Sequence, residues 1–501
     1  MPVRAVVRSA FYQDSVALMR VAQELRARPG VREAAALMGT PANHELLAAA
    51  GLATAETKAA GPGDLVLAVD AETDAAVDAA LAAADGLFAA RRQALEAAVR
   101  VLPRTLDSAL RHLPEANLVA ISVPGAYAAA EAMRALRRGL HVFLFSDNVP
   151  LADEVALKRE AIRRRLLCMG PDCGTAYVGG IGLGFANVVP PGRVGVVAAS
   201  GTGLQAVAVH LAGLGEGLSH GIGVGGRDLS AEVGGLMTTV ALEALGRDPA
   251  TALVVLVSKP PDPVVLPAIE TALAALSKPA VVCCLGAPPR EGPGRWVATL
   301  EDAAEAAVAM LRGRAWRPRA FADPTRVRAR LAALGPHPGA ILALYTGGTL
   351  AHEAALLLQP LLGPERFRVL DLGADELTVG RPHPMLDPDG RAARVREAGR
   401  DPAVGVVLVD VVLGRAAHPD PAAPLAAAIR DARTAAEAAG RSLAVVASVV
   451  GTKDDPQDFD RQVAALDAGG AEVLPSNAQA ARFAALLLRP DLAPSLLGES
   501  P

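Results

Sequence analysis

Two short runs of small residues set the chemistry open to this chain. Ser200-Gly201-Thr202-Gly203 and Thr346-Gly347-Gly348-Thr349 each end an apolar run, VGVVAA and AILALY, and a helical pattern follows at once. A helix start presents N–H groups that have no intrahelical acceptor and carries about half a positive charge. Glycine lets an anion approach those amides, and the hydroxyls of Ser200, Thr202, Thr346 and Thr349 add donors. Serine and threonine also cap tight strand-to-helix turns. Two such loops in matching places favour a phosphate or a carboxylate as occupant.

Other strand ends carry charge. Gly225, Gly226 and Arg227 lie in GVGGRD, residues 223–228, and Lys259 ends the run ALVVLVSK. Arg and Lys at such places neutralise phosphoryl or carboxylate groups. Arg381 and His383 share the proline-stiffened segment GRPHPMLD. They are the candidate catalytic pair, with His383 as acid–base or anion-binding group. His352 falls one turn into the helix after TGGT, while His210 and His220 read as packing residues. Cys168 and Cys173 are separated by four residues, with no histidine close by, a poor zinc spacing. No metal site is expected.

The elements that must position these residues alternate between short apolar runs and helical patterns, as in a doubly wound parallel sheet. Four regions follow: an N-terminal α/β domain over 1–110, a Rossmann-like domain over 111–190, and two flavodoxin-like domains over 191–318 and 335–490. In the first, residues 73–101 predict a long Ala-rich helix or a pair broken near Gly86. In the last two, strand, small-residue loop and helix recur in the same order, which predicts two copies of one architecture. Ligands in such sheets sit beyond the carboxyl ends of the strands.

Composition narrows the partners. At 3% aromatic, the chain offers no stacking platform for single-stranded nucleic acid, and a net charge of −4 without long charge blocks attracts neither nucleic acid nor an anionic membrane. Four cysteines in apolar settings suit a reducing compartment, and the N-terminus has no signal-peptide core. A cytoplasmic protein is expected.

Blocks along nearly the whole chain resemble the FdrA family, a branch of the succinyl-CoA synthetase superfamily: FYQDSVALM (11–19), MGTPAN (38–43), FSDNV (145–149), MGPDCGT (169–175), ASGTG (199–203), GGRDLSAEVGG (225–235), LYTGGTLAHEA (344–354) and VGRPHPMLDP (379–388). The resemblance implies a CoA-binding-type second region, a synthetase α-type third region and a β-subunit carboxyl-terminal-type fourth region. ASGTG matches one of two helices whose N-termini face a phosphohistidine in the synthetases, and TGGTL is its counterpart by position. The chain departs from the family pattern in two loops, and no ATP-grasp domain is recognisable in the sequence. Residues 286–296, where the phosphohistidine loop belongs, read GAPPREGPGRW, and no glycine precedes Asn117 where the CoA loop belongs.

The expected function is that of an acyl-CoA synthetase-like protein handling an acyl phosphate or a CoA thioester, with CoA and a phosphate-bearing metabolite as ligands. A subunit of an oxamate carbamoyltransferase in purine or allantoin catabolism, using carbamoyl phosphate, is the second reading. A non-catalytic assembly subunit that binds a small anionic metabolite is the third. A homo-oligomer or hetero-complex is expected by analogy.

Overall fold

The computed structural model describes residues 2–498 apart from 12, 14, 99–102, 289, 375, 376 and 378–381. It comprises two units, residues 1–117 with 375–382, and residues 118–374 with 383–501.

In the smaller unit, β1 (Val3–Arg8), β2 (Val31–Met38) and β3 (Leu65–Ala71) form one sheet in the order β1-β3-β2. β3 is antiparallel to both neighbours. Alternation of strand and helix implied an α/β layer, and within it the third strand inserts between the first two and reverses direction. Leu65, Leu67 and Val69 pack under helices Ser15–Arg26 and Asp74–Ala98 with Leu18, Leu25 and Phe88. Val66 and Ala68 face the opposite side, against Leu47 and Leu52. The helix Asp74–Ala98 runs unbroken through Gly86. One glycine costs about 1 kcal/mol relative to alanine, too little to interrupt a helix whose Val77, Ala80 and Ala84 are fully buried.

The larger unit begins with a parallel sheet of β4 (Leu118–Ile121), β5 (His141–Leu144) and β6 (Cys168–Met169), joined by helices Gly125–Arg137 and Leu151–Arg164. Two five-stranded parallel arrays follow. The first comprises β9 (Pro191–Ala198), β10 (Leu218–Gly223), β11 (Leu253–Ser258), β12 (Ala280–Cys284) and β13 (Arg295–Trp296). The second comprises β14 (Ala340–Tyr345), β15 (Phe367–Asp371), β16 (Val404–Val412), β17 (Ala444–Val450) and β18 (Ala471–Leu474). In both, the order is second, first, third, fourth, fifth: β10-β9-β11-β12-β13 and β15-β14-β16-β17-β18. That is the flavodoxin-like order, whose switch point lies between the first and third strands. A hairpin, β7 (Thr175–Val178) and β8 (Ile181–Gly184), adds antiparallel to β10 and covers that edge of the first array.

The larger unit is joined by two buried polar clusters and a common core. Lys158, fully buried, donates to Glu154 Oε1 (2.7 Å), Asp228 Oδ1 (2.7 Å) and the Val224 carbonyl (2.9 Å). Asp228 also accepts the N–H groups of Met237 and Thr238 and the Thr238 hydroxyl. All three ammonium protons thus have acceptors, which offsets burial of the charge. Asn187 donates to Asp455 Oδ2 (2.7 Å) and to the Leu413 carbonyl (3.0 Å), and the Val188 N–H donates to Asp455 Oδ1 (2.6 Å). One apolar cluster runs from Val196, Leu204 and Val255 of the first array to Tyr345, Leu350 and Phe483 of the second.

Candidate functional site

The two small-residue loops meet. β9 and β14 are the first strands of their arrays, so their loops open at equivalent switch points, directly before helices Gly201–Gly213 and Gly348–Leu362. The Ser200 hydroxyl hydrogen-bonds the Thr349 hydroxyl. Ser200 Oγ also accepts the N–H of Gly203 (2.9 Å), capping its own helix. A Cβ built on Gly347 would lie 2.8 Å from Thr202 Cγ2 and 2.9 Å from its Oγ1, so only glycine permits this approach. Ser200, Gly201, Thr202, Gly203, Thr346, Gly347, Gly348 and Thr349 are therefore brought together.

The loops are not equally open. Asp410, the one charged residue of the otherwise apolar VGVVLVDVV strand β16, is fully buried. Its carboxylate accepts the N–H of Thr346 (2.8 Å), the Thr346 hydroxyl (2.8 Å) and the N–H of Gly347 (3.0 Å). Arg391, buried on helix Asp389–Arg400, donates to Asp410 Oδ1 at 2.9 Å. The expected anion donors of Thr346 and Gly347 are thus committed within the chain. Burial raises the Asp410 carboxyl, and the Arg391 guanidinium with the loop donors opposes that rise. Gly201, Thr202 and Gly348 are partly exposed and Thr349 is buried, with the Asp371 carboxylate against Gly348.

His383 belongs to the same neighbourhood. A Cβ built on Gly373 would lie 2.6 Å from His383 Nε2 and 2.7 Å from the Thr346 carbonyl. Its Nδ1 accepts the N–H of Met385 (3.2 Å), which leaves the proton of the neutral ring on Nε2. Burial, reinforced by the Arg391 charge, pushes the imidazole down to about 4, so it stands neutral at pH 7. The Phe185 ring lies 5.9 Å from the imidazole, centroid to centroid. Thr175 closes the other side. Its hydroxyl donates to the Phe185 carbonyl (2.6 Å) and lies 3.3 Å from the Cβ position of Gly201. Arg381, the expected partner of His383, lies outside the described residues.

The remaining candidates sit elsewhere. Arg227 pairs with the buried Glu154 at 2.8 Å and donates to the Val149 carbonyl, so its charge serves the Lys158 cluster. Gly225 is buried beside it and Gly226 is exposed. Lys259 is exposed at the end of β11, and its charge helps burial lower the half-buried His352. His352 Nε2 lies 3.3 Å from the Leu285 carbonyl, at the loop where the sequence has no phosphohistidine. His220 accepts the N–H of Gly179, a packing role.

Asp410, Arg391, Asp371, Phe185 and Thr175 were not singled out from sequence. Only Asp410 left a signal there, as a lone carboxylate in a buried-strand pattern.

Among the described residues, no group of three or more His, Cys, Asp or Glu is placed to hold a metal ion. All four cysteines are buried, and burial lifts the Cys168 thiol to about 12 and the Cys284 thiol to about 11, so neither is a thiolate at neutral pH. No described helix is long and apolar enough to cross a membrane.

Residues 1–100 match the family described as AllF, heavy metal-associated domain, and residues 344–487 match CoA-ligase. The uncharacterized protein YahF of Escherichia coli (strain K12) is 39% identical over 500 residues, which span 94% of this chain and 95% of that protein. Subunit alpha 2 of the ADP-forming succinate–CoA ligase of Archaeoglobus fulgidus is 33% identical over 116 residues, 22% of this chain and 40% of that subunit. Among solved structures, the apo acetyl-coenzyme A synthetase 1 of Ca. Korarchaeum cryptofilum aligns over 76% of this chain and 85% of its own, at 16% identity and a TM-score of 0.30. The alignment with YahF over nearly the whole of both chains gives the assignment: this chain belongs to the YahF family, with a CoA-ligase domain over the second five-stranded array.

Proposed function

We propose that the chain is an FdrA-type, acyl-CoA synthetase-like protein that takes an acyl phosphate or a CoA thioester where the helix starts at Gly201 and Gly348 converge. The observation that carries this is the direct meeting of the two loops, Ser200 with Thr349 and Thr202 with Gly347. First-turn amides of two helices then act on one anion, each adding favourable partial charge. Asp410 holds Thr346 and Gly347 in shape from below, so the loop has no rearrangement to make on binding. Neutral His383, with its proton on Nε2, supplies a hydrogen bond to an acyl or phosphoryl oxygen. The lack of a histidine in 286–296 removes the usual phosphoryl carrier. The chain therefore acts on an acyl group activated elsewhere.

The test is thermal unfolding and native mass spectrometry of the full chain with acetyl phosphate, CoA, succinyl-CoA and carbamoyl phosphate. Acetyl phosphate or a CoA compound is expected to stabilise it, and Thr202→Glu, which sets a carboxylate at the shared opening, to abolish the effect. Stabilisation by carbamoyl phosphate alone moves the chain to carbamoyl transfer. No response to any of the four ends the proposal.

A further inference from the structure

The family matched by residues 1–100 is named for heavy metals, and the residues present do not fit one. Soft heavy metals are held by thiolate and thioether sulfur, with imidazole as the common nitrogen donor. The first cysteine of the chain is Cys168, so the smaller unit contains no thiol. Its histidines, His44 and His112, sit on separate helices, Pro41–Ala49 and Leu106–His112. Of its methionines, Met38 is buried in the core under the sheet, Met19 is half-buried on helix Ser15–Arg26, and Met1 lies outside the described residues.

The segment leaving β1 already holds a cation of the chain's own. The Arg8 guanidinium lies 5.6 Å from the Phe11 ring centroid and 6.0 Å from that of Phe88, and it is ion-paired to Asp85. Phe11 and Phe88 themselves meet edge to face at 5.7 Å. Phe11 follows β1, whereas Asp85 and Phe88 lie on helix Asp74–Ala98, so one guanidinium ties the first loop to the longest helix of the unit. A positive charge fixed over two ring faces attracts their negative π-clouds.

We infer that the N-terminal unit binds no heavy metal, and that Arg8, through Phe11, Phe88 and Asp85, cross-links the first loop to the long helix. Hydrogen exchange of the full chain, followed by mass spectrometry with and without Cu(I), Zn(II) and Cd(II), tests this. Peptides covering residues 3–26 and 65–88 are expected to exchange at the same rates with and without each metal. Metal binding elsewhere, at the buried thiols of the larger unit, leaves those peptides unchanged and agrees with the inference. Metal-induced protection of several-fold in them overturns it. Arg8→Leu is expected to speed exchange in the same peptides several-fold, with no recovery on adding metal. Unchanged exchange in that variant overturns the role given to Arg8. If the variant unfolds the unit outright, the metal titration of the unsubstituted chain still decides the first half.

Discussion

The hydroxyls of Ser200 and Thr349, 149 residues apart in the chain, share a hydrogen bond at the join of two helix starts. The neighbouring contact, Thr202 against Gly347, leaves no room for a side chain at position 347. Gly347→Ala places a methyl 2.8–3.0 Å from Thr202 atoms. Overpacking of this kind costs about 1–3 kcal/mol. Denaturant unfolding should show the loss, and ligand-induced stabilisation should weaken with it. Adding Thr202→Gly makes room for the methyl, so the double variant should recover most of the stability. Additive losses would show that the two loops are not in contact.

Asp410 is expected to be the costliest single position near the site. Asp410→Ala leaves Arg391 buried without its carboxylate and leaves the amides of Thr346 and Gly347 without an acceptor. Removing one partner of a buried pair costs about 3–5 kcal/mol. Asp410→Asn keeps an acceptor oxygen and should lose less. Equal unfolding midpoints for the wild type and the alanine variant would contradict this geometry.

Glu353 gives the chain a pH-dependent joint. Its carboxylate accepts the N–H of Leu300 (2.8 Å) and an Asn477 amide hydrogen (2.8 Å), linking the two five-stranded arrays. Burial raises it to about 7, against those two donors, from an ordinary value of 4.5. An acid raised on folding favours the folded state while protonated. Its contribution is fully present below about 4.5 and is lost as pH rises through 7, by about 3 kcal/mol. Unfolding free energies measured from pH 5 to pH 8 should fall in the wild type and flatten in Glu353→Gln. The slope is the readout, because the glutamine also changes the contact with Asn477. Parallel slopes would remove Glu353 as the source.

Lys158 is expected to hold the three-stranded sheet to the first array. Lys158→Met keeps the stem volume and strands Asp228 and Glu154 without their shared ammonium. A loss of about 3–5 kcal/mol follows. Hydrogen exchange should rise most in residues 118–170. A uniform rise across the chain would place the weak point elsewhere.

Much of the larger unit was legible in the sequence because each parallel strand is buried on both faces and reads as a short continuous apolar run. VGVVLVDVV and AVVASVV are cases, with turn residues marking each carboxyl end. The smaller unit was less legible. A run such as LVLAVDA carries no label for direction, and its antiparallel place between β1 and β2 is set by partners distant in the chain, from Met38 opposite Leu65 to Val3 opposite Asp70. At the site, the loops were found because small residues at strand ends are a local pattern. The occupation of Thr346 and Gly347 by Asp410, the alignment of Phe185 with His383, and the diversion of Arg227 into the Lys158 cluster are non-local pairings. No spacing in the chain announces them.

The common apolar core beneath both five-stranded arrays has a consequence for how the protein behaves on dilution. The succinate–CoA ligase relative is named as one subunit of its enzyme, whereas here both loop-bearing arrays are covalently continuous and share Val196, Leu204, Tyr345 and Leu350 in one interior. The facing loops therefore stay paired at any protein concentration, in a fixed one-to-one ratio that no imbalance of expression can disturb.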